Sequence, residues 1–217
     1  MGTNISPRIG GRGRMQLLRK MFGPSKAEAW KQLSEQIHAE FRPGGFLTAD
    51  CVVAKVDAWV VTLDTTSEPV GRATVTCTRI RAPFVNHDKF RFLVYEKGLI
   101  DDIGKRVGLQ DIEIGDESFD ARFILQADDE AKMRVFLADT ALRDLMLRQA
   151  PFHFEIKDDE GWFGETFPQG VDELYFQTVG VVRDLDQLKE MYALFAEALH
   201  QLCHIGSAYE NEPASVG

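Results

Sequence analysis

Between residues 51 and 95 the chain alternates apolar and polar residues in three or four runs, joined by links too short for parallel crossovers. The runs cover 51–56, 59–64, 74–80 and 90–95. A period of two places successive side chains on opposite faces of a strand, so Phe90, Phe92 and Val94 share one face of the last run. Parallel neighbours need a connection of about a dozen residues or more, whereas Asp57-Ala58 alone separates the first two runs. These links allow only antiparallel pairing.

Helical periodicity brackets the strands. Ser25 and Glu28 have the spacing of a capping box, and Trp30, Leu33, Ile37 and Phe41 recur at helical intervals until Pro43-Gly44-Gly45. Near the other end, Asp184 and Gln187 repeat that signal. Leu185, Leu188, Tyr192, Phe195, Leu199 and Leu202 then alternate three and four apart up to Gly206. Met191, Ala198 and Ile205 widen the stripe beyond a coiled-coil seam, so this helix is expected to pack on a sheet.

The middle of the chain reads as a short helix over 99–107, an acidic loop, and a strand over 121–126. Two short helices follow, capped by Asp128 and Thr140, with apolar triplets Met133, Phe136, Leu137 and Leu142, Leu145, Met146. Pro151 closes the second. A strand over 152–157 leads through the turn Asp158-Asp159-Glu160-Gly161 to a further strand, and another covers 174–181. The expected fold is therefore α+β: one domain, a mainly antiparallel sheet of about six to eight strands, and the N- and C-terminal helices on one face. Two small sheets related by duplication would fit the same periodicity.

At 217 residues the length suits one domain with an extension. Fifteen Phe, three Trp and four Tyr supply a core that needs no staples. Cys51, Cys77 and Cys203 are odd in number and form no CxxC, so they read as reduced thiols rather than disulfides. No window is long and apolar enough for a spanning helix, and residues 1–22 show no secretory pattern, which makes the cytoplasm the default location.

The net charge of -9 hides an asymmetry, because residues 1–22 carry Arg8, Arg12, Arg14, Arg19 and Lys20 without an acid. These residues read as a basic, disordered leader, with Met15 as an alternative start and 1–14 dispensable to the core. Residues 15–22 are amphipathic enough for weak contact with an anionic membrane surface at most. The domain proper then spans 23–210, and 211–217 read as a frayed tail. Its strongly acidic body repels phosphate backbones, so nucleic acid is not an expected partner.

Candidate chemistry is sparse. Glu197, His200, Cys203 and His204 have the three- and four-residue spacing of a helical metal set, but His200 and His204 fall outside the apolar register and no HExxH is present. A solvated helix face is the expected reading. His153 and Glu155 share one side of a strand, as a carboxylate-oriented general base would, without a GxSxG elbow or PCxxC to complete a catalytic set. His87-Asp88 reads as a turn. Gly98 and Gly104-Lys105-Arg106 miss the phosphate-loop spacing. The acids Asp111, Glu113, Asp116, Glu117, Asp120, Asp158, Asp159 and Glu160 lack EF-hand spacing and read as solvated loops. No tightly bound metal or cofactor is expected.

The order Phe119-Asp120, Phe123-Ile124, Asp128-Asp129, Leu142-Arg143 and Leu145, followed by two strands and a closing helix, resembles a family of uncharacterised bacterial proteins over residues 119–202. That resemblance implies a bacterial cytoplasmic α+β domain and transfers no activity. The leading functional expectation is a non-catalytic binding or protein-interaction domain. Its anchor would be Trp162, with Phe163 and Phe167, beside a hairpin tip, engaging a protein partner or a second copy. A metal-dependent hydrolase using acids and histidine is the competing class.

Overall fold

The fold is given by a computed structural model describing residues 23–45, 48–70, 72–98, 109–149, 151–158, 167–210, 212 and 214. The described residues form β1 (Glu40–Arg42), β2 (Cys51–Val56), β3 (Trp59–Val70), β4 (Ala73–Val85), β5 (Phe92–Glu96), β6 (Gln110–Ile112), β7 (Phe123–Ala127), β8 (Phe152–Lys157) and β9 (Val171–Val179). They make one sheet in the order β1-β2-β3-β4-β9-β8-β5-β7-β6, antiparallel at every pairing. Five helices accompany it: α1 (Lys26–Gln36), α2 (Glu117–Arg122), α3 (Glu130–Phe136), α4 (Thr140–Arg148) and α5 (Leu185–His204). The architecture is the α+β one expected, as a single sheet. Its strand count exceeds the expectation because two three-residue strands, β1 and β6, close the edges.

One face of the sheet and the helices share a core. Val61 and Leu63 of β3, Ile80 and Phe84 of β4, Phe176 of β9 and Phe154 of β8 are all wholly buried. They join one cluster with Trp30 of α1, Phe119 of α2, Met133 of α3, Leu142 of α4 and Phe195 of α5. Rings run across this layer in contact: Phe92–Phe136 at 5.0 Å, Phe152–Phe176 at 5.1 Å and Phe154–Phe195 at 5.9 Å between centroids. Each such side chain contributes about 1.5–3 kcal/mol by leaving water. Polar tethers fix the helices over the sheet. Trp30 Nε1 donates to the Val182 carbonyl at 3.0 Å, and the Tyr192 hydroxyl donates to the Val52 carbonyl at 3.0 Å.

The helix ends follow local chemistry. Ser25 and Glu28 form the reciprocal capping box at α1. Asp184 caps α5 by accepting from the Gln187 N–H at 2.8 Å. Gly206 at φ 77 ends that helix, with the Ser207 N–H returning to the Leu202 carbonyl at 2.9 Å. The caps of α3 and α4 are Asp129 and Asp139, one residue from those read in the sequence, because these acids reach the free N–H groups of Lys132 and of Ala141 and Leu142.

Several elements differ from expectation for visible reasons. Helix α1 stops at Gln36, and His38 at φ 54 turns the chain, so Phe41 pairs as a strand residue with Val52. Strands β3 and β4 run to 12 and 13 residues, past the expected 64 and 80. Thr65, Thr66 and Ser67 there pair with Thr78, Cys77 and Thr76, residues that suit a pleated ladder though they lack strict alternation. The stretch read as an acidic loop holds β6 and α2, and α2 takes the start of the expected strand. Asp116 caps α2 through the Ser118 and Phe119 N–H groups, while Asp120 accepts from Ile114 and Gly115. The expected helix at 99–107 lies outside the described residues, as do the leader over 1–22 and the turn after Asp158. Among the described residues no helix is long and apolar enough to cross a membrane.

Candidate functional site

The sheet face opposite the helices carries charge in register. Strands β3, β4, β9 and β8 align Asp64 with Arg79, Arg79 with Gln177, and Gln177 with His153; the next row is Thr62, Arg81, Tyr175 and Glu155. Pro83 and Lys157 flank Glu173 in a third row. Directly opposed residues on one face lie close enough to interact, so this register brings acids beside bases.

The contacts realise it. Arg79 donates to Asp64 through Nε at 2.7 Å and Nη2 at 2.8 Å, a two-pronged pair. Arg81 lies 3.5 Å from the same carboxylate and 3.7 Å from Glu173 Oε1. Farther along, Glu155 sits 2.8 Å from His153 Nε2 and 3.5 Å from Lys157 Nζ, and that ammonium stands 3.2 Å above the Tyr175 ring. Glu155 is 1% exposed and Glu173 fully buried, so these carboxylates depend on their partners. Burial pushes the Tyr175 hydroxyl far above its ordinary value, keeping it protonated.

At the β2–β4 end of this face lies a pocket of about 610 Å³. Asp64, Arg79, Arg81 and Glu173 line it together with apolar Val53, Val60 and Pro83, and Arg42 and Val60 are exposed. Its size falls in the range of small-molecule sites, about 300–1,000 Å³. Cys51 also lines it, but burial raises that thiol's pKa, followed in size by the opposing effect of Arg42, so it is held as the unreactive thiol.

Sequence reasoning singled out His153 and Glu155, and the structure joins them directly, as members of the charged ladder. It did not anticipate Asp64, Arg79, Arg81 or Glu173. The readable signal was the alternation of Arg79 and Arg81 with the apolar Ile80 and Ala82, which marks a strand whose second face is charged. The helical set of possible metal ligands, Glu197, His200, Cys203 and His204, is divided. Glu197 accepts from Gln201 at 2.9 Å, His204 is exposed at the end of α5, and His200 turns to Asp57, 2.8 Å away. All three cysteines are free. Phe167 is buried, so it offers no exposed anchor; Trp162 and Phe163 lie outside the described residues. His87 and Asp88 lie in a bend between β4 and β5, with Asp88 accepting from the Ser207 hydroxyl at 3.1 Å.

The chain matches no protein-family model and no curated protein. Among solved structures it is similar to the mycobacterial trehalose monomycolate transport factor A, TtfA. The alignment covers 81% of this chain and 95% of that one, at 10% sequence identity and a TM-score of 0.49.

Proposed function

We propose that this chain is a binding domain whose site is the pocket on the charged face of the sheet. The observation that carries the reading is the pocket itself: about 610 Å³ of space over a floor of paired arginines and carboxylates, beside exposed and partly buried apolar side chains. Such a floor meets a ligand with oriented donors and acceptors already fixed in place, so binding requires little ordering of the protein. Three guanidinium groups face two carboxylates there, which favours a ligand with an anionic end. Val53, Val60 and Pro83 then accept an apolar portion, making a small amphipathic anion the fitting occupant.

The exposed side chain of Val60 allows a test without disturbing the core. Val60→Glu places a negative charge in the pocket, which repels an anionic ligand, while leaving the helix face intact. Small amphipathic anions that shift the melting temperature of the native chain are expected to lose that effect in the variant, with the variant's own melting point within about 2 °C of native. Short peptides tested in the same assay distinguish a protein segment as the occupant. Equal ligand shifts in both proteins would contradict the proposal.

A further inference from the structure

We infer that Asp57, His200 and Glu210 form a divalent-cation site of the zinc type, built from the β2–β3 turn, the last turns of α5 and the chain just beyond them. Asp57 and His200, 143 positions apart in sequence, meet at 2.8 Å between the imidazole Nε2 and a carboxylate oxygen. One ligand atom from each lies within 4.8 Å of the other two. Donors bound tetrahedrally about 2.1 Å from one ion stand about 3.4 Å apart, so exposed side chains meet that geometry by small rotations.

The backbone under two of them is fixed. Asp57 sits in a two-residue turn at φ 51, clamped by the Val56–Trp59 pair. The end of α5 is locked by its glycine turn, and buried Ser207 and Ala208 lead the chain back so that Glu210 reaches the same spot. Without an ion, the exposed His200–Asp57 pair contributes little stability, so little is lost when a cation takes both groups.

The donor set selects the ion. A neutral imidazole and two carboxylates offer two negative charges and one nitrogen, which suits zinc better than magnesium, an ion that favours an all-oxygen octahedron. With three protein ligands the ion keeps an open position for water or a ligand group.

The test uses the full chain without an affinity tag, titrated with zinc against a chromophoric chelator. The native protein should take up one equivalent. His200→Ala, Asp57→Asn and Glu210→Gln should each weaken zinc binding by at least about tenfold with unchanged circular dichroism, since all three side chains are exposed. His204→Ala, one turn farther along the exposed helix surface, should bind as the native chain does, and magnesium in large excess should not displace the zinc. The inference is overturned if the native chain takes up no zinc, if the three variants bind it undiminished, or if His204→Ala loses as much as His200→Ala.

Discussion

Along β4, Ile80, Ala82 and Phe84 are wholly buried among the rings of the helical layer, while Arg79 and Arg81 on the strand's other side stand against Asp64 and Glu173. The same backbone thus serves two kinds of surface. On the helix side, stability grows with the apolar area removed from water and needs only close packing. On the other side, desolvating each charge costs about what its partner returns, so a well-packed apolar replacement would serve stability as well. That difference is the reason for reading the charged face as the functional one.

The comparison is broken most severely by cutting into the helix side. Phe154 is wholly buried and meets the rings of Phe92, Phe176 and Phe195. Phe154→Ala should cost about 3–5 kcal/mol in denaturant unfolding. On the charged side, Asp64→Ala removes the carboxylate shared by Arg79 and Arg81 and should cost less, about 1–3 kcal/mol. Combining it with Arg79→Met should recover part of that loss, because the stranded guanidinium goes as well. A double-mutant cycle that came out additive would show that the pair is not coupled.

How much of this was legible in the sequence differs between the faces too. Burial at a fixed period is a local signal, so β2 and β8 were read at their observed bounds and every apolar member of the stripes on α3, α4 and α5, from Met133 to Leu202, was placed inside or at the edge of the core. The charged face depends on pairing between distant strands. Arg81 meets Glu173 only because β4 lies beside β9, and no spacing along the chain announces that neighbour. The same holds for Asp57, His200 and Glu210. Short edges were missed for another reason: three residues of β1 or β6 are too few to show a period, and Asp116 and Asp120, read as loop acids, are spent on capping and on backbone N–H groups.

Smaller effects sharpen the contrast. Asp184→Ala at the start of α5 leaves the Gln187 N–H without its acceptor and should cost about 1 kcal/mol, seen as a lower melting temperature. Smallest is the effect of Asp172, which lies on the helix side of β9 and is held by Asn86 Nδ2 at 2.6 Å. Burial raises its pKa above the ordinary value, outweighing the Asn86 hydrogen bond that lowers it. A carboxyl that binds its proton more tightly in the folded state favours folding below its unfolded pKa, and this contribution is lost as pH rises through the raised folded value. Asp172→Asn should therefore equal or exceed the native chain in stability at neutral pH, by about 1 kcal/mol or less. That advantage should vanish as the pH falls through the carboxylate range. A variant whose deficit persists at every pH would show that the hydrogen bond, and not burial, governs this residue.

The most direct test of the charged face as a binding site is ligand-detected NMR with a set of small amphipathic anions, run on the native chain, on Val60→Glu and on His200→Ala. The pocket reading predicts compounds that bind the native chain and His200→Ala alike and fail to bind Val60→Glu. Compounds that bind Val60→Glu as well as the native chain, or a set of which none binds at millimolar concentration, would contradict it.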